Sequence, residues 1–304
     1  MNICLAYRTD VSSGRLVDCY ASSVARELRA LGHNLLEVGE GHPISSLEDL
    51  DPYSFDFLLE IENGRNDKGD LFFQQGKYMW RIPSAVWLID SHGQPDLHKA
   101  VSKRYSHVFF AVWNRRDLYA EHKSAHWCPN STDLKWFGYE NFKDVSVIHD
   151  FGFFGSKTGI DRADGLRDAC VKNNWSFDIR QVTKPRRHKW PSCGRAMSGC
   201  KILFNKGQKH DGPNQRVLES MAVFRPLLCD RDPKSGLEKL FVEGRHFIGY
   251  NHDESDLEEK CKWIVDNYDK SLAIADEAYF EASTKHTIAN RVNQILETLK
   301  GGLK

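Results

Sequence analysis

The 304-residue chain has no charge of one sign to spare: 42 Lys and Arg stand against 42 Asp and Glu, for a net charge of +0. A protein that grips many phosphates along a nucleic acid carries a basic excess, so non-specific nucleic-acid binding is not expected. Long apolar runs are missing too. The longest, Val108 to Trp113, is far too short to cross a bilayer, and Arg8 arrives too early for the apolar stretch of a signal peptide. No membrane span and a cytoplasmic location are therefore expected. The eight cysteines (Cys4, Cys19, Cys128, Cys170, Cys193, Cys200, Cys229, Cys261) include no C-x-x-C pair. They read as reduced, buried thiols rather than a disulfide framework or a zinc site.

Other absences narrow the chemistry. No G-x-G-x-x-G follows any strand-like run, and Tyr7-Arg8-Thr9-Asp10 lacks the glycines a dinucleotide turn needs. Gly155-Ser156-Lys157-Thr158 echoes a phosphate loop, but Ser156 separates the glycine from the lysine and the motif's first glycine is missing. No acidic metal cluster stands out, so neither a metal nor a resident cofactor is expected. There is no short-period repeat and no low-complexity segment. The one dense basic run, residues 184–189, reads as a solvated loop.

What is present is an alternation of short apolar runs with helix-period segments. Ile3 to Tyr7, Asn34 to Val38, Phe55 to Ile61, Ala85 to Ile89 and Val108 to Val112 read as strands. Leu16, Tyr20, Val24, Leu28 and Leu31 recur at spacings of three and four, predicting a helix that Gly32 stops. A polar connection around residues 130–145 interrupts the pattern. It restarts with strands at Ser146 to Phe151, Phe177 to Val182, Ile202 to Asn205, Pro226 to Asp230 and His246 to Tyr250. Helices are expected at Arg162 to Asn173, Asn214 to Ala222, Gly236 to Val242, and through Asp253 to Lys300. Strand–helix alternation implies parallel sheets covered on both faces. The expected fold is α/β: two Rossmann-like, doubly wound domains, residues 1–142 and 143–304, with helices closing the chain.

The stretch from Ile202 to Ala222 is the richest in chemistry. It reads as strand, polar loop and helix, with Pro213 or Asn214 opening the helix. A helix amino end offers N–H groups and a positive dipole to an anion such as a diphosphate. Gly212 has no side chain to block a ligand, and Glu219, further along, is placed to accept hydrogen bonds from ribose hydroxyls.

The run from Asn205 to Ala222, with Arg225 to Asp230 after it, resembles the nucleotide-sugar motif of two-domain (GT-B) glycosyltransferases. Leu237 to Phe241, Gly244, His286-Thr287 and Arg291 resemble the spore-maturation CgeB-like branch, related to family 4 glycosyltransferases. Asp211 and Glu219 stand eight positions apart, as a pair of acids does in many relatives, with Asp replacing the usual Glu. Trp87 to His92 resembles a strand ending in Asp-x-His at an interdomain cleft, and Phe151 to Ser156, then Arg162, resembles the first strand and glycine turn of the donor domain.

The resemblance implies a nucleoside-diphosphate sugar as donor and transfer without a metal, with retention at the anomeric carbon. It implies donor contacts from Gly155, Arg162, Asp211, Gly212, Pro213, Asn214, Arg216 and Glu219, and catalysis by Asp90 and His92. The acceptor is open: a glycan, a protein, a small molecule or a modified DNA base. A rival reading keeps the fold as an inactive nucleotide-sugar or glycan-binding protein, because fold alone does not establish function.

Overall fold

The computed structural model describes residues 1–7, 11–12, 15–16, 20–39, 41–43, 54–61, 82–89, 91, 93, 95–155, 161–181, 190–207 and 212–302. They form two compact units: residues 1–129 with 288–304, and residues 130–287.

The first unit holds a parallel six-stranded sheet. Its strands are β1 (Asn2–Ala6), β4 (Asn34–Val38), β5 (Phe57–Ile61), β6 (Ser84–Leu88), β7 (His107–Phe110) and β8 (Ala125–Trp127), in the order β4-β1-β5-β6-β7-β8. A two-stranded pair, β2 (Val11–Ser12) and β3 (Arg15–Leu16), lies apart from it. Every residue of β5 and β6 is buried, as expected of central strands covered on both faces. Helix α1 (Tyr20–Ala30) buries Ala21, Val24, Ala25 and Leu28, and Gly32 follows it at φ +79°. The helix is shorter than its apolar spacing suggested: Leu16 belongs to β3, and Leu31 is 48% exposed. Helix α2 (Pro95–Ser102) and the edge strand β8 had no clear periodic signal.

The second unit begins with the single-turn helix α3 (Leu134–Phe137), started by the Asp133 side chain, which accepts from the Lys135 N–H. Its sheet contains β9 (His149–Gly155), β10 (Phe177–Gln181), β11 (Cys200–Asn205), β12 (Leu227–Arg231) and β13 (Ile248–Asn251), all parallel, in the order β10-β9-β11-β12-β13. Helices α4 (Asp164–Lys172), α5 (Trp190–Ser198), α6 (Gln215–Ala222), α7 (Leu257–Asp266) and α8 (Tyr268–Lys285) surround it.

Three sequence expectations shift here. Strand β9 starts three residues later than expected and runs on to Gly155, because Phe151, Phe153 and Phe154 are the buried side chains, whereas Ile148 is 68% exposed. Gly152 sits inside this strand because a Cβ there would come within 2.5 Å of Cys200 Sγ. The helix expected at Gly236 to Val242 shrinks to a 3₁₀ turn over Leu237–Lys239.

The third shift concerns the terminal helices and the domain boundary. The units divide at residue 129 rather than 142, and α9 (Ile288–Gly302) belongs to the first unit. Its Ile288, Val292, Ile295, Leu296 and Leu299 join a core with Ile3, Leu5, Val24, Leu28 and Trp87. Arg291 Nε donates to Pro129 O at 2.9 Å, and Gln294 Nε2 donates to Trp127 O at 2.8 Å. An amphipathic stripe announces that a helix is covered, but not by which sheet.

The seven described cysteines are all free. Burial pushes the Cys4, Cys128, Cys170, Cys193 and Cys200 thiols up to about 12. They are apolar filling rather than nucleophiles. Among the described residues no helix is long and apolar enough to cross a membrane, and no group of metal-ligating side chains comes together.

Candidate active site

In an open parallel sheet, ligands bind beyond the carboxyl ends of the strands where the winding direction reverses. In the second unit that point lies between β9 and β11, since successive strands are placed on opposite sides of β9. Strand β9 ends at Gly155 and β11 at Asn205, and α6 begins ten residues after Asn205. Arg162, Gly155, Asn205, Asn214 and Arg216 all meet there.

Arg216 is the centre of this group. Its Nε donates to Phe154 O, its Nη1 donates to Asn205 Oδ1 at 3.1 Å, and its guanidinium lies 4.6 Å from the centroid of the Phe153 ring. All three partners are neutral, and among the described residues Arg216 has no ion-pair partner. Desolvation presses its pKa down to about 10, the Arg162 charge pushes the same way, and Glu219 opposes both. Arg162 is fixed nearby: its Nη1 donates to Lys206 O at 2.9 Å, and it lies 6.0 Å from the same Phe153 ring. Two guanidiniums are thus held close together, both half-buried. Lys206 is spent otherwise, in an ion pair with Glu254 at 2.8 Å.

The amino end of α6 is less open than expected. Asn214 caps it with its own side chain, Oδ1 accepting from the Val217 N–H at 3.3 Å. Positive charge at this point therefore comes chiefly from the Arg216 side chain, with the dipole behind it. Gly155 must be a glycine for a local reason: a Cβ there would meet the Phe153 ring at 2.7 Å and Arg216 Nη2 at 3.5 Å. Gly212 lines the small pocket beside the helix end, and a Cβ on it would sit 2.6 Å from Ser235 Cβ. Pro213 is buried and its carbonyl accepts from Asn130 Nδ2 at 3.3 Å. Glu219 lies three residues after Arg216 on α6 and is half-buried, so its carboxylate shares the same helix face.

Two further residues, Asn205 and Asp230, lie within the motif stretches but carried no role of their own in the sequence. Asn205 is buried and joins Asn214 to Arg216. Asp230, at the end of β12, accepts from the Gly207 N–H at 3.0 Å through Oδ1 and pairs with His252 Nδ1 at 2.9 Å through Oδ2. Gly207, Asp230, Asp232, Ser235 and Asn214 line a small pocket beside the helix end. The signal that could have found Asn205 and Asp230 is position: both close a strand of a parallel sheet. Asp90, His92 and Asp211 lie outside the described residues, as do Lys157 and residues 184–189.

Residues 153–297 match the family model described as glycosyl transferase-like. The match runs from inside β9 into α9. Comparison with curated protein sequences gives no match. Solved structures are similar in fold. Anabaena HepE in complex with UDP-glucose superposes with a TM-score of 0.63 at 12% identity, covering 99% of this chain and 100% of that one. A sucrose-phosphate synthase from Thermosynechococcus elongatus gives 0.65 at 10% identity, with 99% of each chain covered. An α-glucosyltransferase in complex with UDP and a DNA 13-mer containing an HMU base gives the same score, identity and coverage. Identities this low establish the fold, which is the GT-B glycosyltransferase fold. The glycosyltransferase-like domain contains the whole guanidinium cluster.

Proposed function

We propose that this glycosyltransferase-like protein transfers a sugar from a nucleoside-diphosphate sugar, with a uridine nucleotide as the favoured donor. The observation that carries the reading is Arg216: a guanidinium held at the switch point of the second sheet by neutral partners, with Arg162 beside it. Setting a charge away from water is costly unless something offsets it. A bound diphosphate would do so. When the sugar–phosphate bond breaks, negative charge develops on the departing diphosphate, and fixed cations stabilise that charge without reorganising. Glu219, on the same helix, would hold the ribose hydroxyls, and the described complexes of HepE and the α-glucosyltransferase with uridine nucleotides support the choice of base.

In this reading the two guanidiniums do for the leaving group what a divalent cation does elsewhere, so transfer proceeds without one. Asp90 and His92, after β6 in the sequence, act on the acceptor side as proton acceptor and sugar contact. The resemblance to family 4 enzymes supports retention at the anomeric carbon, and His286-Thr287 with Arg291 supports the CgeB-like branch. The acceptor class stays open.

The test is calorimetric titration with UDP, GDP and ADP, followed by a product assay with UDP-glucose in excess EDTA. Selective UDP binding and turnover that survives chelation are expected. Absence of binding to every nucleoside diphosphate would sink the reading. Binding without hydrolysis or transfer from any sugar nucleotide would turn it into that of a binding protein.

A further inference from the structure

Asn205 occupies the last position of β11 and is 2% exposed. Each part of it is engaged. Its Oδ1 accepts from Asn214 Nδ2 and from Arg216 Nη1, both at 3.1 Å, and its Nδ2 donates to Cys229 Sγ at 3.4 Å. Its backbone carbonyl accepts from Tyr250 OH at 3.0 Å. One amide therefore ties together three strand ends and fixes both the cap of α6 and the guanidinium that follows it.

The chemistry of that tie matters as much as its geometry. An arginine drawn partly out of water that serves only the fold is normally met by a carboxylate. Here the hydrogen-bond acceptor is an amide, which holds the guanidinium in place without adding a counter-charge to it. We infer that Asn205 is a positioning residue for the donor diphosphate, its neutral side chain keeping Arg216 aimed and electrostatically available. The inference rests on the donor reading above and adds to it a residue that touches no ligand.

Asn205→Asp tests it, because the two side chains have nearly the same shape. The aspartate would still accept from Arg216 and Asn214 but would pair with the guanidinium and cancel its charge. Titrations with UDP, inorganic pyrophosphate and uridine, alongside thermal melts, separate the possibilities. The expected result is a ten- to hundredfold loss of affinity for UDP and pyrophosphate, about what a hydrogen bond to a charged group supplies. Uridine binding and the melting temperature should not fall with it. Should the aspartate variant fail to fold, Asn205→Ser keeps the site neutral but shortens the reach to Arg216; it should weaken UDP and pyrophosphate about tenfold, with uridine unaffected. Wild-type affinity for UDP in the variant that folds, or equal losses for uridine and UDP, overturns the inference while leaving the donor reading standing. A wild-type protein that binds none of the three ligands ends both.

Discussion

The two units wind their sheets alike but dress the reversal points oppositely. In the second unit the ends of β9 and β11 carry Arg162 and Arg216, held by an amide, backbone carbonyls and a phenyl ring. In the first unit the corresponding place lies between β1 and β5, and its described residues are acids already satisfied. Tyr7, just after β1, donates its hydroxyl to Glu37 Oε2 at 2.5 Å, and Arg29 also reaches Glu37. Glu60, near the end of β5, is buried and accepts from Tyr105 OH. A phosphate brought to the first point would face carboxylates; at the second it would face the guanidiniums of Arg162 and Arg216. One topology thus offers two chemistries, and under the proposed function the side chains at three or four strand ends would decide which unit takes the nucleotide.

The comparison can be broken most sharply through α9, the segment that returns to the first unit. Ile295 is buried in the core formed with β1, α1 and Trp87. Ile295→Ala should cost about 2–5 kcal/mol, the range for emptying a packed aliphatic site. Chemical denaturation would measure the loss. If UDP titration of the folded variant stays at wild-type affinity, the nucleotide site belongs to the second unit, as argued. A lost site with an intact melt would reverse the assignment.

Next in size is Arg216→Gln. It should weaken UDP by about a hundredfold, since it removes a charge-assisted contact from a partly desolvated place. The melt should hold or rise slightly, because the cost of keeping a partly desolvated charge at this point goes with it. Glu37→Gln in the first unit is the matched control and should leave UDP affinity unchanged. Equal behaviour of the two variants in calorimetry would erase the proposed difference between the reversal points.

Much of this contrast was legible from the residues alone, and the parts that were not share a physical cause. Strands β1, β5, β6 and β7 announce themselves as apolar runs because both faces of a parallel sheet are covered. Helix α6 was readable from Asn214 and the spacing of Val217, Leu218 and Met221, and Gly155, Arg162 and Arg216 drew attention through the motif around them. What was illegible depends on pairing across distance. Asp230 and His252 meet because β12 and β13 run in register, with Asp230 opposite Tyr250. Asn205 becomes a hub only when β11, β12 and β13 lie side by side. The covering of α9 by the first sheet is likewise a tertiary choice. Local pattern says that Ile288, Val292 and Ile295 are covered, and nothing local says by what.

The smallest expected effect concerns acid, and it again sets one unit against the other. In the first unit, burial lowers the values of His33, His42, His107 and His126 below the ordinary 6.5. In the second, burial lowers that of His246. His107 and His126 form a local cluster: both ring nitrogens approach Ser124 Oγ, at 2.7 and 2.9 Å, and His126 adds its charge to the penalty on His107. The hydroxyl has one proton and two lone pairs, so it can donate to at most one of the two rings, and the charge of either imidazole disfavours protonation of the other. A histidine whose folded value is depressed takes up its proton more readily in the unfolded chain. Stability is therefore complete above about pH 6.5 and declines as pH falls below it. The carboxylates lowered in the second unit, Asp253, Glu258 and Glu281, act only further down, below the ordinary carboxylate values of 3.8 and 4.5. Between about pH 6.5 and 5 the first unit should lose protection before the second, as read by hydrogen exchange at β7 and β8 against β9 and β11. His107→Asn should flatten that dependence at β7 and β8. A uniform response of both sheets, or a variant as acid-sensitive as the wild type, would show that the cluster around Ser124 does not set it.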